Sequence, residues 1–405
     1  MRLKSLAKVS VGIIALMFSG QTIFAQMPRV FILNSKLLNE RKAKMFDAKS
    51  PDKSFDAAIF TLEKEAKKLL NAKFWSVMDK EIAPPNGNKH DYMSQAPYFW
   101  RNQNTPNGLP YIRKDGERNP EIETITDRKN LDKMEKAVAT LSLAYFFTNK
   151  EEYAAKATEN LRMWFLDSKT KMNPNLQFAQ AIPGVNTGRG IGIIETRELT
   201  DVIDAVGLLQ GSKSWTKSDQ TGLEKWFDDY LKWLMTSKNG VDESAAKNNH
   251  GTFYDVQIVA FALFVGKQDL AKKILETAKE KRFAKQIESD GLQQLELERT
   301  KSWDYSVMNL DGFIKLAELG EHGEVDLWNY QNDQGRGNIR KAIVFLTPYL
   351  DGKNKWTFAQ IDTMKSEKLF PLIRRANRKY TDEKFKQITL STSKLKAEEV
   401  QYLLY

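Results

Sequence analysis

Apolar residues return at every third or fourth position through most of this chain. Over residues 55–75, Phe55, Ile59, Leu62, Ala66 and Leu69 fall on one side of a helical projection with Lys and Glu between them, which predicts an amphipathic helix facing a core. The same texture recurs over residues 131–147, 151–165, 193–209, 220–235, 253–265, 270–279 and 307–319. Strand signals are scarce, hairpin dipeptides flanked by alternating apolar residues are absent, and no solenoid-like repeat of fixed length is found. The pattern predicts an all-α protein of paired helices joined by short loops, because a ring of such pairs buries one apolar face of each.

Two long segments interrupt the helical pattern. Residues 82–121 are rich in Pro, Gly, Asn and aromatics, and residues 171–192 carry Gly184, Gly188, Gly190 and Gly192 around Arg189. Loops of that length without regular structure are usually functional or disordered. Tyr92, Tyr98, Phe99, Trp100 and Tyr111 argue for order, since aromatic residues are depleted where chains stay unfolded. Both segments are therefore expected either as ordered surface loops or as the lining of a cleft at one end of the ring.

The first 25 residues change the picture of where the protein works. A basic start (Arg2, Lys4, Lys8), an apolar run over residues 11–18 and a break after Ala25 read as a secretory signal peptide, too short to span a bilayer. The chain has no cysteine, hence neither a lipobox nor a disulfide framework, and a soluble periplasmic or secreted bacterial protein occupying residues 26–405 is expected. Taking three positive charges and no negative ones off the net +10 leaves +7. That excess favours an anionic partner; nucleic acid is disfavoured because the lysines are dispersed and the signal exports the protein away from the genome. Oligomeric state is not legible.

Three histidines, at positions 90, 250 and 322, with no cysteine and no HExxH spacing, form no recognisable metal-ligand set. Nucleophile-elbow and phosphate-loop patterns are absent as well. His250 follows Asn248 and Asn249 at the predicted start of an apolar helix. There the backbone dipole disfavours the imidazolium and suits the ring to accepting a proton, although a polar first-turn residue behind an Asn cap would look the same. Tyr305 lies near the start of another helix, after Arg299 and Lys301. Guanidinium and helix-dipole charge stabilise a phenolate, so Tyr305 is expected to titrate below its ordinary value. Six positions separate Arg299 from Tyr305, nearly opposite faces of one helix, so cooperation requires Arg299 to sit in the preceding loop. His90 is either a substrate contact or a hydrogen-bonding residue within its loop, and His322 reads as a solvent-facing helix terminator.

With these residues in view, the sequence resembles the alginate lyase superfamily of helical-toroid polysaccharide lyases. The resemblance rests on H-D-Y-M-S-x-A-P-Y-x-W at residues 90–100, P-N-G-L-P-Y-I-R-x-D-G-E-x-N-P-E at 106–121, N-P-N-L-x-x-A-Q at 173–180, G-R-G at 188–190, N-N-H-G-T at 248–252 and R-x-x-S-W-x-Y at 299–305, in colinear order. It is greatest to polysaccharide lyase family thirty-eight and more distant to family five. The resemblance implies an (α/α) toroid, an incomplete barrel of helical hairpins, with a site in its central cleft. It also implies no required cofactor and β-elimination on a (1,4)-linked uronate polymer, with polymannuronate expected first and glucuronan as the alternative. By position it implies Asn249 and Arg299 as neutralisers of the uronate carboxylate, and His250 and Tyr305 as the proton-transfer pair.

Elimination needs such a set, because removing the C5 proton spreads further negative charge into a carboxylate that must first be neutralised. Stereochemistry favours Tyr305 as base and then acid for mannuronate or glucuronate, with His250 assisting. Gln180, Arg189, Tyr92 and Trp100 are the candidate subsite contacts, Arg for a neighbouring carboxylate and aromatics for sugar faces. Many toroid lyases acting on glycosaminoglycans append β-sandwich domains, but the chain after residue 350 is short and Lys-rich, which predicts a single domain. An inverting glycoside hydrolase on a similar toroid, which needs two carboxylates flanking a bond, and a non-catalytic polyanion-binding protein are the competing readings.

Overall fold

The computed structural model describes residues 27–47, 49–350, 352–381, 383, 385–387 and 399–405. The expected signal peptide, residues 1–25, lies outside the described residues. Helices dominate: α1 (Ser35–Met45), α2 (Asp56–Leu70), α3 (Asp127–Thr148), α4 (Glu151–Leu161), α5 (Leu199–Leu208), α6 (Lys217–Thr236) and α7 (Lys238–Ser244) form the first part. After them come α8 (Asn249–Phe264), α9 (Gln268–Ala278), α10 (Ala284–Gln286), α11 (Gln294–Leu297), α12 (Ser302–His322), α13 (Ile339–Leu346) and α14 (Phe370–Asn377). Each of the eight helices expected from periodicity is present. None of the described helices is long and apolar enough to cross a membrane.

The arrangement is an all-α toroid in one domain, built from hairpins such as α3–α4, which reverses at left-handed Asn149 (φ 54°). One hydrophobic cluster runs through it. Its centre is α8, where every residue of the 16 except His250 is buried. A helix apolar all round must be covered all round, and α5, α6, α7, α9 and α12 supply that cover. The crossing with α12 is close: a Cβ added at Gly312 would stand 2.8 Å from Thr252 Cγ2. Polar groups inside this layer are joined to each other. Thr252 and Asn309 both donate to Gln286 Oε1 at 3.1 Å, and Asn309 also donates to Gln293 at 2.8 Å. Such bonds fix how α8 and α12 sit against one another, since a buried donor without a partner costs about 1–3 kcal/mol.

The short strands lie in the two interrupting segments. β1 (Met93–Gln95) pairs in parallel with β4 (Phe178–Ala181), and β2 (Phe99–Trp100) pairs antiparallel with β3 (Ile112–Arg113). The first pairing ties the two segments together. Buried Lys80 and Asp127 form an ion pair at 2.9 Å, and Asp127 also accepts the Met93 N–H at 2.9 Å, which fastens the first segment to the start of α3.

The corner between α7 and α8 is held by Arg282. Its buried guanidinium donates to Asp255 of α8 at 2.8 and 3.2 Å, and to the carbonyls of Ser244 and Ala246 at 2.7 and 2.5 Å. Arg282→Ala leaves the Asp255 carboxylate buried and unpaired, with an expected loss of about 3–5 kcal/mol in urea unfolding. Adding Asp255→Leu to that variant is expected to recover part of the loss. A double variant no more stable than the single one would contradict this assignment.

Candidate active site

Asn248 caps α8, its side chain accepting the His250 N–H at 3.3 Å. Asn249 and His250 thus occupy the first turn, and a buried carboxylate meets each. Glu296 of α11 accepts the Asn249 backbone N–H and Nδ2, both at 2.7 Å. Glu243 of α7 lies 2.7 Å from His250 Nδ1. Asn249 is fully buried and its Oδ1 has no partner among the described residues, so the expected donor to a uronate carboxylate is enclosed rather than displayed. Burial raises the Glu296 carboxyl above its ordinary range; the two Asn249 hydrogen bonds and the charges of Arg299 and His250 oppose this without reversing it.

Arg299 sits in the loop between α11 and α12, as cooperation with Tyr305 requires, while Tyr305 opens α12 with its N–H on the Lys301 carbonyl at 3.0 Å. The guanidinium carbon stands 3.9 Å from the Tyr305 ring centre, a cation–π stack. Its Nε and Nη2 donate to Asp115 at 3.2 and 2.9 Å, and Thr300 Oγ1 adds 3.0 Å to the same carboxylate. Burial alone would raise the Asp115 carboxyl, but the hydrogen bond and charge of Arg299, with help from Thr300 and Arg113, outweigh it and hold the group at about 2.

The Tyr305 hydroxyl is 2.9 Å from the Tyr98 hydroxyl. Contrary to the sequence expectation, this phenol is pushed above its ordinary value, first by burial and then by the Tyr98 hydroxyl. Arg299 pulls the other way but loses, because it stacks on the ring face instead of reaching the oxygen.

Tyr98 lines two cavities. One, of about 570 Å³, is bounded by the 90s segment, the start of α3 and the 180–197 region, and Gln180 is in its wall. Arg118, Arg128, Lys129, Lys133 and Arg197 face it against Glu123, Asp132 and Glu195, an excess of two positive charges. The other, of about 540 Å³, is bounded by Tyr305, Lys301, Lys368 and Arg375 together with Asp304, Asp311 and Asp362, and is balanced in charge. Tyr98 therefore stands between a basic cavity and a neutral one, Tyr305 faces the neutral one, and Arg299, Asn249 and His250 are in the lining of neither.

Among the expected subsite contacts, Arg189 donates to the Gln180 carbonyl and Oε1 at 3.1 and 2.9 Å and lies over Phe99 at 5.1 Å. Trp100 is half-buried on the β2–β3 hairpin, with Lys114 over its ring at 5.2 Å. Two expectations need correction. Tyr92 is wholly buried, its hydroxyl donating to Glu195 at 2.8 Å, so its ring has no face to offer a sugar. His90 donates from Nδ1 to the Lys171 carbonyl at 2.6 Å, a bond to the other interrupting segment instead of one within its own loop. His322 is exposed in the last turn of α12, as expected. The sequence reading passed over Tyr98, Asp115, Glu243 and Glu296. For Asp115 the Asp-Gly turn inside a charged loop was an available signal; for the two glutamates there was none, because their burial is invisible in a charged residue's letter.

Comparison with known proteins places these features. The sequence profile described as alginate lyase matches residues 76–356. An alginate lyase from Bacteroides ovatus is 40% identical in sequence, covers 93% of this chain and 99% of its own, and superimposes with a TM-score of 0.88. Alginate lyase A1-III from Sphingomonas species A1 shares 16% identity over 91% of this chain and 94% of its own, with a TM-score of 0.58. A form of that enzyme complexed with a tetrasaccharide shares 16% identity over 94% of this chain and 97% of its own, with a TM-score of 0.59. At that identity the likeness is one of fold alone. A search of the curated proteins finds no match.

The Asp115 pair yields a pH signature. Its folded value of about 2 lies below the ordinary 3.8, so the pair contributes stability above pH 4 and loses it as pH falls through about 2. Thermal unfolding of Asp115→Asn should therefore show a constant deficit against wild type near neutrality that closes between pH 4 and pH 2. A deficit independent of pH would mean the ion pair contributes nothing through charge.

Proposed function

The chain belongs to the alginate lyase family, and from that premise we propose that it cleaves (1,4)-linked uronate polymers, mannuronate-rich alginate foremost, by β-elimination. The observation that carries the reading is the Arg299–Tyr305 stack at 3.9 Å, with Tyr305 in the wall of one cavity and its hydroxyl partner Tyr98 shared between that cavity and a second, basic one. An anionic polymer is drawn along such a surface, and Lys129 and Lys133, one turn apart on α3, face its path. Export directed by residues 1–25 would bring the enzyme to polymers outside the cytoplasm.

The chemistry follows from the charges. Arg299 Nε and Nη2 are engaged by Asp115, and among the described residues Nη1 makes no hydrogen bond, so a uronate carboxylate approaches that edge. With the carboxylate neutralised, the Tyr305 phenolate takes the C5 proton. The C5–H electron pair becomes the C4–C5 double bond, the C4–O4 bond breaks with its pair going to O4, and the phenol returns its new proton to that oxygen. One residue serves both steps because, in mannuronate, the C5 hydrogen and O4 share a face of the ring. His250 binds substrate beside it, and Asn249 supports the turn that carries His250.

Three measurements test this. Incubation with polymannuronate, polyguluronate and polyglucuronate should give ultraviolet absorbance from the unsaturated uronate, fastest with the first; saturated products from all three would exclude a lyase. Tyr305→Phe is expected to lower kcat by about 10²–10⁴-fold with little change in KM. Because the phenol sits above its ordinary value of 10.0, the phenolate fraction rises about tenfold per pH unit through the neutral range. The activity kcat/KM should therefore climb from pH 6 to pH 9. A profile that falls over that range would make Tyr305 only the acid and move the base elsewhere.

A further inference from the structure

Glu243 occupies an unusual place for a glutamate. Its side chain is only 2% exposed, on a helix of seven residues, and its Oε1 lies 2.7 Å from His250 Nδ1. Both sides of its helix are held. On one side Gly190, the second glycine of the G-R-G motif, lets the 190–196 turn approach so closely that a Cβ there would stand 2.6 Å from the Asn239 carbonyl and 3.1 Å from the Glu243 nitrogen. On the other, Arg282 grips the carbonyls of Ser244 and Ala246 just beyond it. Burying a carboxylate is unfavourable, and the nearby structure gives it one ring nitrogen to hold.

An ionised carboxylate has no proton to donate, so Nδ1 must carry one. In neutral His250 the other nitrogen, Nε2, is then a bare acceptor. The imidazole side chain is 17% exposed and is the one part of α8 that is not buried, so with Nδ1 engaged by Glu243 the ring keeps some contact with solvent. Other charges around this pair are Glu296, which acts on His250 from α11, and Arg189, which acts on Glu243 from the 171–192 segment.

We propose that Glu243 is a positioning residue that fixes His250 as the Nδ1–H tautomer, presenting Nε2 to the cleft as an acceptor for a substrate hydroxyl or proton. What His250 accepts from rests on the uronate-lyase reading above; the tautomer does not. The role differs from mere support of the helix corner, which Arg282 already provides.

The chain has three histidines, so long-range nitrogen-15 spectra of the uniformly labelled, full-length protein resolve each imidazole once His90→Gln and His322→Gln assign the other two. At pH 8, His250 is expected to show a protonated Nδ1 and an unprotonated Nε2. Glu243→Gln keeps an acceptor at the same place, and should retain the tautomer with kcat reduced no more than about tenfold. Glu243→Leu should lose the tautomer and lower kcat roughly a hundredfold, with KM changed less than about threefold. Circular dichroism is run on both variants. An Nε2–H signal for His250 in the wild type overturns the proposal, whether or not either variant folds, and so does Glu243→Leu with unaltered kcat. If the wild type turns over no uronate polymer, the spectrum still decides the tautomer, so failure of the functional reading and failure of this one are told apart.

Discussion

Arg282 is the constraint on which the geometry of the cleft depends. A guanidinium taken out of water must be matched hydrogen bond for hydrogen bond, and this one is matched by the Asp255 carboxylate and two carbonyls at the end of α7. That single group therefore sets the angle between α7 and α8. Gly251 belongs to the same fit, because a Cβ there would stand 2.1 Å from the Ala246 carbonyl and 2.2 Å from Arg282 Nη1. With the corner fixed, Glu243 is held 2.7 Å from His250 Nδ1 in the first turn of α8.

The opposite wall is organised by a different balance. Arg299 is a half-buried cation that needs an anion beside it, and Asp115 supplies one. Holding the guanidinium flat against the Tyr305 ring, Asp115 keeps it oriented while leaving one edge uncommitted among the described residues. The same carboxylate belongs to the loop that follows β3, so that loop and the Arg299 guanidinium share one ion pair. Tyr98, brought in by the loop between β1 and β2, completes the enclosure of the phenol. That enclosure explains why burial outweighs a guanidinium 3.9 Å away: the charge lies over the ring, and the oxygen it would stabilise is at the rim.

Helices that bury an apolar stripe were legible, and the eight read from periodicity are all present. Of those passed over, α13 does bury a stripe, Ile339, Ala342, Ile343 and Leu346, but over only eight residues, and others show none. In α1 the single buried residue is Leu38, and α7 is a short run of polar residues around Gly240, whose missing Cβ lets the Leu234 carbonyl approach. Helix α14 is brief and begins with Pro371 in its first turn. The placing of His250 and Tyr305 in the first turns of α8 and α12 was legible because each follows a polar cluster, a pattern written locally. Tyr92 was misplaced because aromatic letters in a loop do not say whether the ring turns inward, and Glu195, its partner, is 103 positions away.

The sequence alone determined what depends on neighbours along the chain: helix periods, the placing of His250 and Tyr305 near helix starts, and the colinear motifs that carry the family. Tertiary structure decided what depends on distance through space and on burial. It paired Asp115 with Arg299 across 184 positions, enclosed Asn249, set Glu243 behind His250, and reversed the expected titration of Tyr305. The division has one physical origin. Hydrogen-bonded helices are local and periodic, whereas the charge state of a side chain is set by the solvent it loses and the partners it gains when distant segments close around it.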